Sequence, residues 1–185
     1  QDEAIVQVEA RLAGGEPGPI VIAHGDGWHP GVVGIVASRL KEKYNRPTCV
    51  ISWNGNQGTA SGRSMTGADL GSAVIAARQA GLLLKGGGHA MAAGFTVERD
   101  KLAELEAFLA ERMVKALGEN PPPPGLYIDS ITGVAGANMH LVKKLEQVGP
   151  FGVGNPEPRF CIKDATIVKV DTVGADQSHV RLVLM

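Results

Sequence analysis

Aromatic residues are scarce in this chain: four Phe, two Trp and two Tyr make up 4% of 185 residues. With 44% of the residues hydrophobic, the core must therefore be aliphatic. Cysteine is scarcer still. Cys49 and Cys161 stand far apart, which excludes a disulfide scaffold and a cysteine-rich metal site and points to buried thiols in a reduced compartment. No apolar run is long enough for a membrane-spanning helix. No signal-peptide pattern opens the chain, so the cytosol is the default location and no membrane partner is expected. Neither sign of charge dominates: 18 Lys and Arg stand against 19 Asp and Glu, for a net charge of −1. Such a chain has no global attraction for nucleic acid. Any contact with a polyanion must come from a local basic patch. His and carboxylate residues form no cluster with metal-ligand spacing, so no metal site is expected within these residues.

Glycine, by contrast, is abundant. The run Lys85-Gly86-Gly87-Gly88-His89-Ala90-Met91-Ala92-Ala93-Gly94 is the most informative stretch. Consecutive glycines free the backbone and let bare N–H groups approach a ligand. Concave N–H arrays of this kind bind anions, phosphate above all. The run reads as a phosphate-contacting loop, Gly86 to Gly88, with the His89 imidazole aimed at the ligand. A tight structural turn with a capping histidine is the other reading. Arg63 stands between Gly62 and Ser64, with Ser61 just before. An Arg fork matches phosphate oxygens, and flanking hydroxyls add hydrogen bonds; the same pattern also suits a surface arginine on a hairpin. Trp28 can stack a base or cover a sheet edge. His29 and Arg39 are further candidates, each with a bland reading as a helix-terminal or helix-surface residue. Asp26 has no clustered partner and reads as a cap rather than a metal ligand.

Apolar periodicity organises the rest. Residues 19–24 and 48–53 read as strands, and Asn54-Gly55-Asn56 as a hairpin turn into a third strand over 59–64. Residues 4–12, 31–44, 69–83 and 100–117 read as helices. In the second of these, Val32, Val33, Ile35, Val36 and Leu40 are expected to face inward. In the third, Thr66 and Asp69 have capping-box spacing. In the last, Leu102, Leu105, Leu109, Met113 and Leu117 recur at helical spacing and Gly118 stands at the stop. Strands alternating with helices predict an α/β sandwich, with a mixed sheet because of the hairpin. The proline run at 121–124 is the best boundary. Beyond it, residues 126–131, 160–173 and 180–185 read as strands and 138–148 as a short helix.

The stretch GGGHAMAAGF resembles the signature of the DHHA1 domain, the second domain of the DHH phosphoesterase superfamily. GWHPGVVGIVASRL, from Gly27 to Leu40, and ASGRS, from Ala60 to Ser64, resemble the DHHA1 part of RecJ-type single-strand-specific exonucleases. GPFGVGNPEPRF, from Gly149 to Phe160, resembles the approach to the OB-fold domain that follows DHHA1 in that family. The resemblance implies the end of an inter-domain linker helix at 1–17 and a DHHA1 domain at 18–118. It further implies a Pro-rich linker at 119–125 and the start of an all-β OB-fold at 126–185. By the same likeness Ser61, Arg63, Ser64 and Gly86 to Gly88 bind substrate phosphate. His89 serves the catalytic site, where it can donate to the scissile phosphate or balance developing charge, beside the metals but not as a principal ligand. Trp28, His29 and Arg39 are weaker contacts to DNA or to a neighbouring domain. In the OB-like part Phe151, Asn155, Arg159 and Phe160 are residue types that can contact a strand, with core the commoner reading of Phe151 and Phe160, while His140 and His179 read as surface residues.

The family hydrolyses phosphodiesters with two metal ions, Mn2+ or Mg2+, held by Asp and His residues. Its motif of an Asp followed by two histidines is missing here. The chain opens on Gln1 inside a helical pattern and stops at Met185 inside a strand pattern. The expectation is a fragment, inactive alone, of a parent that degrades single-stranded DNA from the 5′ end in repair and recombination. A single-strand-binding protein or a helicase would be its protein partner. Two rivals remain: a nano-RNase or cyclic-dinucleotide phosphodiesterase of the same superfamily, and a non-catalytic module like the DHHA1 domain of alanyl-tRNA synthetases.

Overall fold

A computed structural model describes the chain apart from residues 13–14, 16, 119–122, 124 and 153. Two units emerge, Gln1–Pro124 and Gly125–Met185. The proline run expected to link two domains lies largely outside the described residues.

The first unit is built on a five-stranded mixed sheet. Its strands are β1 (Val21–Asp26), β2 (Thr48–Asn54), β3 (Gln57–Arg63), β4 (Lys85–His89) and β5 (Ala92–Glu98), in the spatial order β1-β2-β3-β5-β4. Only β1 and β2 run parallel. They are joined through helix α2 (Val33–Tyr44), as a parallel crossover requires. The other neighbours are antiparallel. Gly55, at φ +59°, and Asn56 make the hairpin between β2 and β3, where the sequence predicts it.

Helices cover both faces. Helices α3 (Leu70–Gln79) and α4 (Leu102–Leu117) bury Leu70, Val74, Leu105, Leu109 and Met113 against Ile51, Phe95 and Val97 on one face. Each such aliphatic side chain contributes roughly 1.5–3 kcal/mol. On the other face, helix α1 (Asp2–Leu12) and α2 pack Ala4, Val8, Val33, Ala37 and Leu40 over Val21, Ala23 and Val50. The inner stripe of α2 thus differs from the expected one. Val32 precedes the helix and Ile35 falls on its outer side, 64% exposed. The four-residue step from Val33 to Ala37 and the further step to Leu40 set the buried phase.

Two helix ends also differ from expectation. The cap of α3 is Asp69, whose carboxylate accepts from the Ser72 N–H at 2.9 Å and the Ser72 hydroxyl at 2.8 Å. Thr66 plays no part in that cap. The hydrogen bonds hold the Asp69 carboxyl below its ordinary range. α3 stops at Gln79, short of the expected Leu83, because Gly81 takes φ +76° and Leu82 N–H returns to the Ala77 carbonyl at 3.0 Å, a Schellman closure.

β1 is an edge strand, and α1 covers its open backbone. Gln7 donates from Nε2 to the His24 carbonyl and accepts from the His24 N–H through Oε1, both at 2.8 Å. Arg11 Nη1 donates to the Ile22 carbonyl at 2.9 Å, and its Nη2 pairs with Glu106. Side chains of a helix thereby occupy the positions of a missing strand and block edge-to-edge pairing. Cys49, within β2, is wholly buried, and burial pushes its thiol up to about 12.

The second unit holds strand β6 (Ser130–Thr132) parallel to β7 (Phe160–Ile162). Helix α5 (Met139–Leu145) is capped by Asn138, and β8 (Ile167–Val173) pairs antiparallel with β9 (His179–Leu184). The helix falls within the expected 138–148, but the expected strand 160–173 is broken into β7 and β8 by residues 163–166, and β6 is shorter than the expected 126–131. Among the described residues from 125 onward none is buried. Phe151 and Phe160 are half-buried, and His140 and His179 are exposed.

Candidate functional site

The glycine run is a strand, which corrects the reading of it as a loop. Lys85 to His89 form β4, paired residue by residue with Thr96 to Ala92. The turn falls one step later, at Ala90 and Met91. The three glycines have different reasons to be bare. A Cβ on Gly86 would meet Val74 Cγ1 at 2.8 Å. Gly88 sits at φ +158° with the Ala92 carbonyl and Ala93 in the way. Both lack side chains because α3 and β5 leave no room. A Cβ on Gly87 would meet nothing within 4 Å. Gly94, its partner on β5, has only the Ala60 carbonyl near, at an ordinary 3.6 Å. Neither packing nor backbone conformation demands glycine at these two positions.

Strand alternation sets what surrounds this bare floor. Residues directly opposite in an antiparallel ladder share a face. The register gives one row of Arg63, Ala92 and His89, a second of Ser61, Gly94 and Gly87, and a third of Thr59, Thr96 and Lys85. All lie on the α2 face of the sheet, continuing from Thr48, Val50 and Ser52; α2 reaches across β3, where Gly34 comes against Ser61 and Arg63. The opposite face of the same strands carries buried Ala60, Ala93, Phe95 and Val97. Arg63 and His89, two strands apart in one row, start about 10 Å from each other.

Arg63 is half-buried and held. Its Nη1 donates to Ser61 Oγ at 3.0 Å and to the Gly62 carbonyl at 2.9 Å. Gly34 of α2 makes the room: a Cβ there would fall 3.0 Å from Arg63 Nη2 and 3.1 Å from Ser61 Oγ. No sequence signal marks Gly34 for this task. Arg63, His89 and Lys85 make no ion pair among the described residues, whereas Arg11, Lys43, Arg99, Lys101 and Lys115 in the same unit do. Three basic side chains around a floor without side chains suit an anionic polymer that approaches the backbone closely. As the last strand of the sheet, β4 also leaves backbone groups without a ladder partner. Among them the Gly86 carbonyl accepts from Arg78 at 3.1 Å.

The remaining candidates are placed elsewhere. Ser64 is buried; its hydroxyl donates to the Ala68 carbonyl at 2.7 Å and its N–H to the Met91 carbonyl at 2.9 Å. It braces the loop below Arg63 rather than facing the open row. The Trp28 ring packs over Gly25 of β1, at the far edge of the sheet, and its Nε1–H donates to Glu3 at 3.0 Å. His29 Nδ1 accepts the Gly31 N–H at 3.0 Å, at the entry to α2. Arg39 is exposed and lies 3.8 Å from Glu42. Asp26 pairs with Arg99. Asn155 donates to the Val148 and Pro150 carbonyls at 3.1 and 3.0 Å, and the Arg159 N–H donates to Asp129 at 2.8 Å. Among the described residues no three His, Cys, Asp or Glu side chains group to hold a metal ion. No helix among the described residues is long and apolar enough to cross a membrane.

Comparison with known proteins defines the class. Residues 18–115 match the DHHA1 domain family, and the chain belongs to it. Residues 128–185 match the RecJ OB domain family. The chain is 34% identical over 185 residues to the single-stranded-DNA-specific exonuclease RecJ of Bacillus subtilis (strain 168), covering 99% of this chain and 23% of that protein. It is 36% identical over 148 residues to that of Escherichia coli (strain K12), covering 78% and 25%. The crystal structure of RecJ from Thermus thermophilus in complex with Mn2+ superposes with a TM-score of 0.76 at 25% identity, over 100% of this chain and 27% of that one. The chain thus spans about a quarter of the length of these relatives.

Proposed function

We propose that this chain is the strand-gripping part of a RecJ-like exonuclease that hydrolyses single-stranded DNA from the 5′ end in repair and recombination. One observation carries the reading. Arg63 and Ser61 are held together beside two glycines, Gly94 and Gly87, that the fold itself does not require, with His89 at the end of the row. A phosphodiester can approach such a floor closely. Arg63 would bind its oxygens, Ser61 would hold Arg63 in place, and His89 would face the scissile phosphate. Edge N–H groups of the Gly86 to Gly88 strand would add donors. Stacking and basic residues of the OB-type unit would extend the grip along the strand. Mn2+ or Mg2+, held by Asp and His residues outside these 185, would supply the hydrolytic water. On this reading the chain alone hydrolyses no DNA, and a single-strand-binding protein or a helicase would deliver substrate to the parent in the cytoplasm.

The test is binding of fluorescent single-stranded DNA to this chain across oligomer length and salt. Affinity should rise with length, fall with salt, and drop about tenfold in Arg63→Ala, the loss of one charge-assisted contact. Tighter binding of structured tRNA than of single strands would transfer the reading to a synthetase-like module. Affinity that does not grow beyond a dinucleotide would transfer it to a dinucleotide phosphodiesterase. Metal-dependent nuclease activity abolished by His89→Ala would overturn the claim that the chain is inactive alone.

A further inference from the structure

The row of Thr59, Thr96 and Lys85 lies on the same open face as Arg63 and His89, each of its residues just outside the stretches that carry the family resemblance. Four residues along β3 separate Thr59 from Arg63, which places the two rows about 14 Å apart. That distance exceeds the reach of one phosphodiester. Thr59 and Lys85 are exposed and Thr96 is half-buried. The Lys85 side chain makes no hydrogen bond or ion pair among the described residues, although it stands on an edge strand where a partner would cost little to supply. Thr59 and Thr96 face each other across the ladder and present two hydroxyls beside that ammonium. Between this row and the Arg63 row lies only the bare Gly94–Gly87 pair, with Ser61 at its side. The three rows carry three basic residues and no carboxylate. The next row pairs Gln57 with Glu98, and there the sign of the charge reverses.

We propose that the Thr59–Thr96–Lys85 row is a second phosphate subsite for the same single strand, and that Glu98 marks where the strand leaves the sheet. The proposal rests on the strand-gripping reading given above and extends it. The DNA backbone would run along β5, over Gly94 and Gly87, from the Arg63–His89 row to Lys85. A strand has to lie close to the sheet to touch both ends, and the two glycines permit that approach. Lys85 offers a point charge, which neutralises phosphate without demanding one geometry. The threonine hydroxyls supply hydrogen bonds to phosphate or sugar oxygens without reading sequence. The Glu98 carboxylate repels the next phosphate, so the track is bounded.

The experiment measures the salt dependence of binding for wild type, Lys85→Gln, Glu98→Gln and Arg63→Ala. Two probes are used: a thymidine dinucleotide, which holds one phosphodiester, and a longer thymidine oligomer that crosses all three rows. With the longer probe, Lys85→Gln should lower the slope of log affinity against log salt by about 0.7, the release expected for one phosphate contact on a single strand. Glu98→Gln should raise affinity for that probe. Lys85→Gln should weaken the longer probe more than the dinucleotide, Glu98→Gln should leave the dinucleotide unchanged, and Arg63→Ala should weaken both probes. If Arg63→Ala weakens binding while Lys85→Gln and Glu98→Gln leave the longer probe unchanged, the second subsite is overturned and the strand-gripping reading stands. If wild type binds neither probe at low salt, the strand-gripping reading itself fails for this chain, and the subsite with it. Lys85 is exposed, so loss of folding does not confound its substitution; the urea midpoint of each variant checks this directly.

Discussion

Gly71, in the first turn of α3, lies directly against the backbone of His89: a Cβ built on it would fall 2.8 Å from both the carbonyl carbon and the carbonyl oxygen of that residue. The helix that closes the core is thus seated on the peptide unit that carries the site histidine. Because the neighbour is backbone, it cannot swing aside as a flexible side chain would.

Gly71→Ala should therefore destabilise the first unit by about 1–2 kcal/mol, the overpacking cost less the gain in helix propensity. It should also move β4. Urea unfolding gives the first quantity, and amide shifts at Gly88 and His89 report the second. A variant that is more stable than wild type and leaves those shifts unchanged would refute the close seating.

Gly34→Ala separates stability from function. The new methyl would stand 3.0 Å from Arg63 Nη2 and 3.1 Å from Ser61 Oγ, both movable side-chain atoms. Within the helix the substitution favours folding by up to about 1 kcal/mol. The expected outcome is unchanged or raised thermal stability together with weaker single-strand binding, because the Arg63 fork is displaced. Equal affinity in the two proteins would show that the fork's resting position does not matter.

Gln7→Ala should cost about 1–2 kcal/mol, since it leaves the N–H and the carbonyl of His24 on the β1 edge without their side-chain partner. Gln7→Glu keeps the acceptor and loses the donor, so its midpoint should fall between the other two. Faster hydrogen exchange at His24 in Gln7→Ala would locate the effect at the strand edge.

His24 makes stability depend on pH. Burial lowers its pKa from the ordinary 6.5, and the Arg11 guanidinium lowers it further. As pH falls through about 6.5 the unfolded chain takes up a proton that the folded chain still refuses. Stability is thus complete above that pH and declines below it, until the folded-state value is passed. Trp53 meets the imidazole edge-on at 6.0 Å between ring centres. His24→Phe keeps an aromatic ring there without a titrating group. Its stability should fall less than that of wild type between neutral and mildly acidic pH. Parallel profiles for the two proteins would remove His24 from the account.

Much of the architecture is legible in the chain itself. The spacing of Leu105, Leu109 and Met113 specifies one face of a helix wherever that helix is placed, because 3.6 residues per turn is a local property. Gly55 in Asn54-Gly55-Asn56 specifies a hairpin for an equally local reason, its freedom to adopt positive φ. The sign and position of Arg63 among small neighbours could also be read directly. What local reasoning missed were ends and phases: Gly81 stops α3 early, and Ile35 falls outside the stripe that its hydrophobicity suggested.

The site depended on pairing instead. Three glycines in a row look alike in sequence, yet Gly86 is bare because Val74 presses on it, Gly88 because of Ala92 and Ala93, and Gly87 for no reason internal to the fold. That distinction exists only once β4 is registered against β5 and α3 is laid across it. The same register carries Lys85 onto the face of Arg63, 22 residues earlier in the chain, and turns Ser64 away from it. Local sequence was thus enough to specify the elements, the aliphatic core and the residue types able to bind phosphate. Which of them share a surface was settled by the fold, because strand register and helix seating arise from contacts between distant residues that no local pattern encodes.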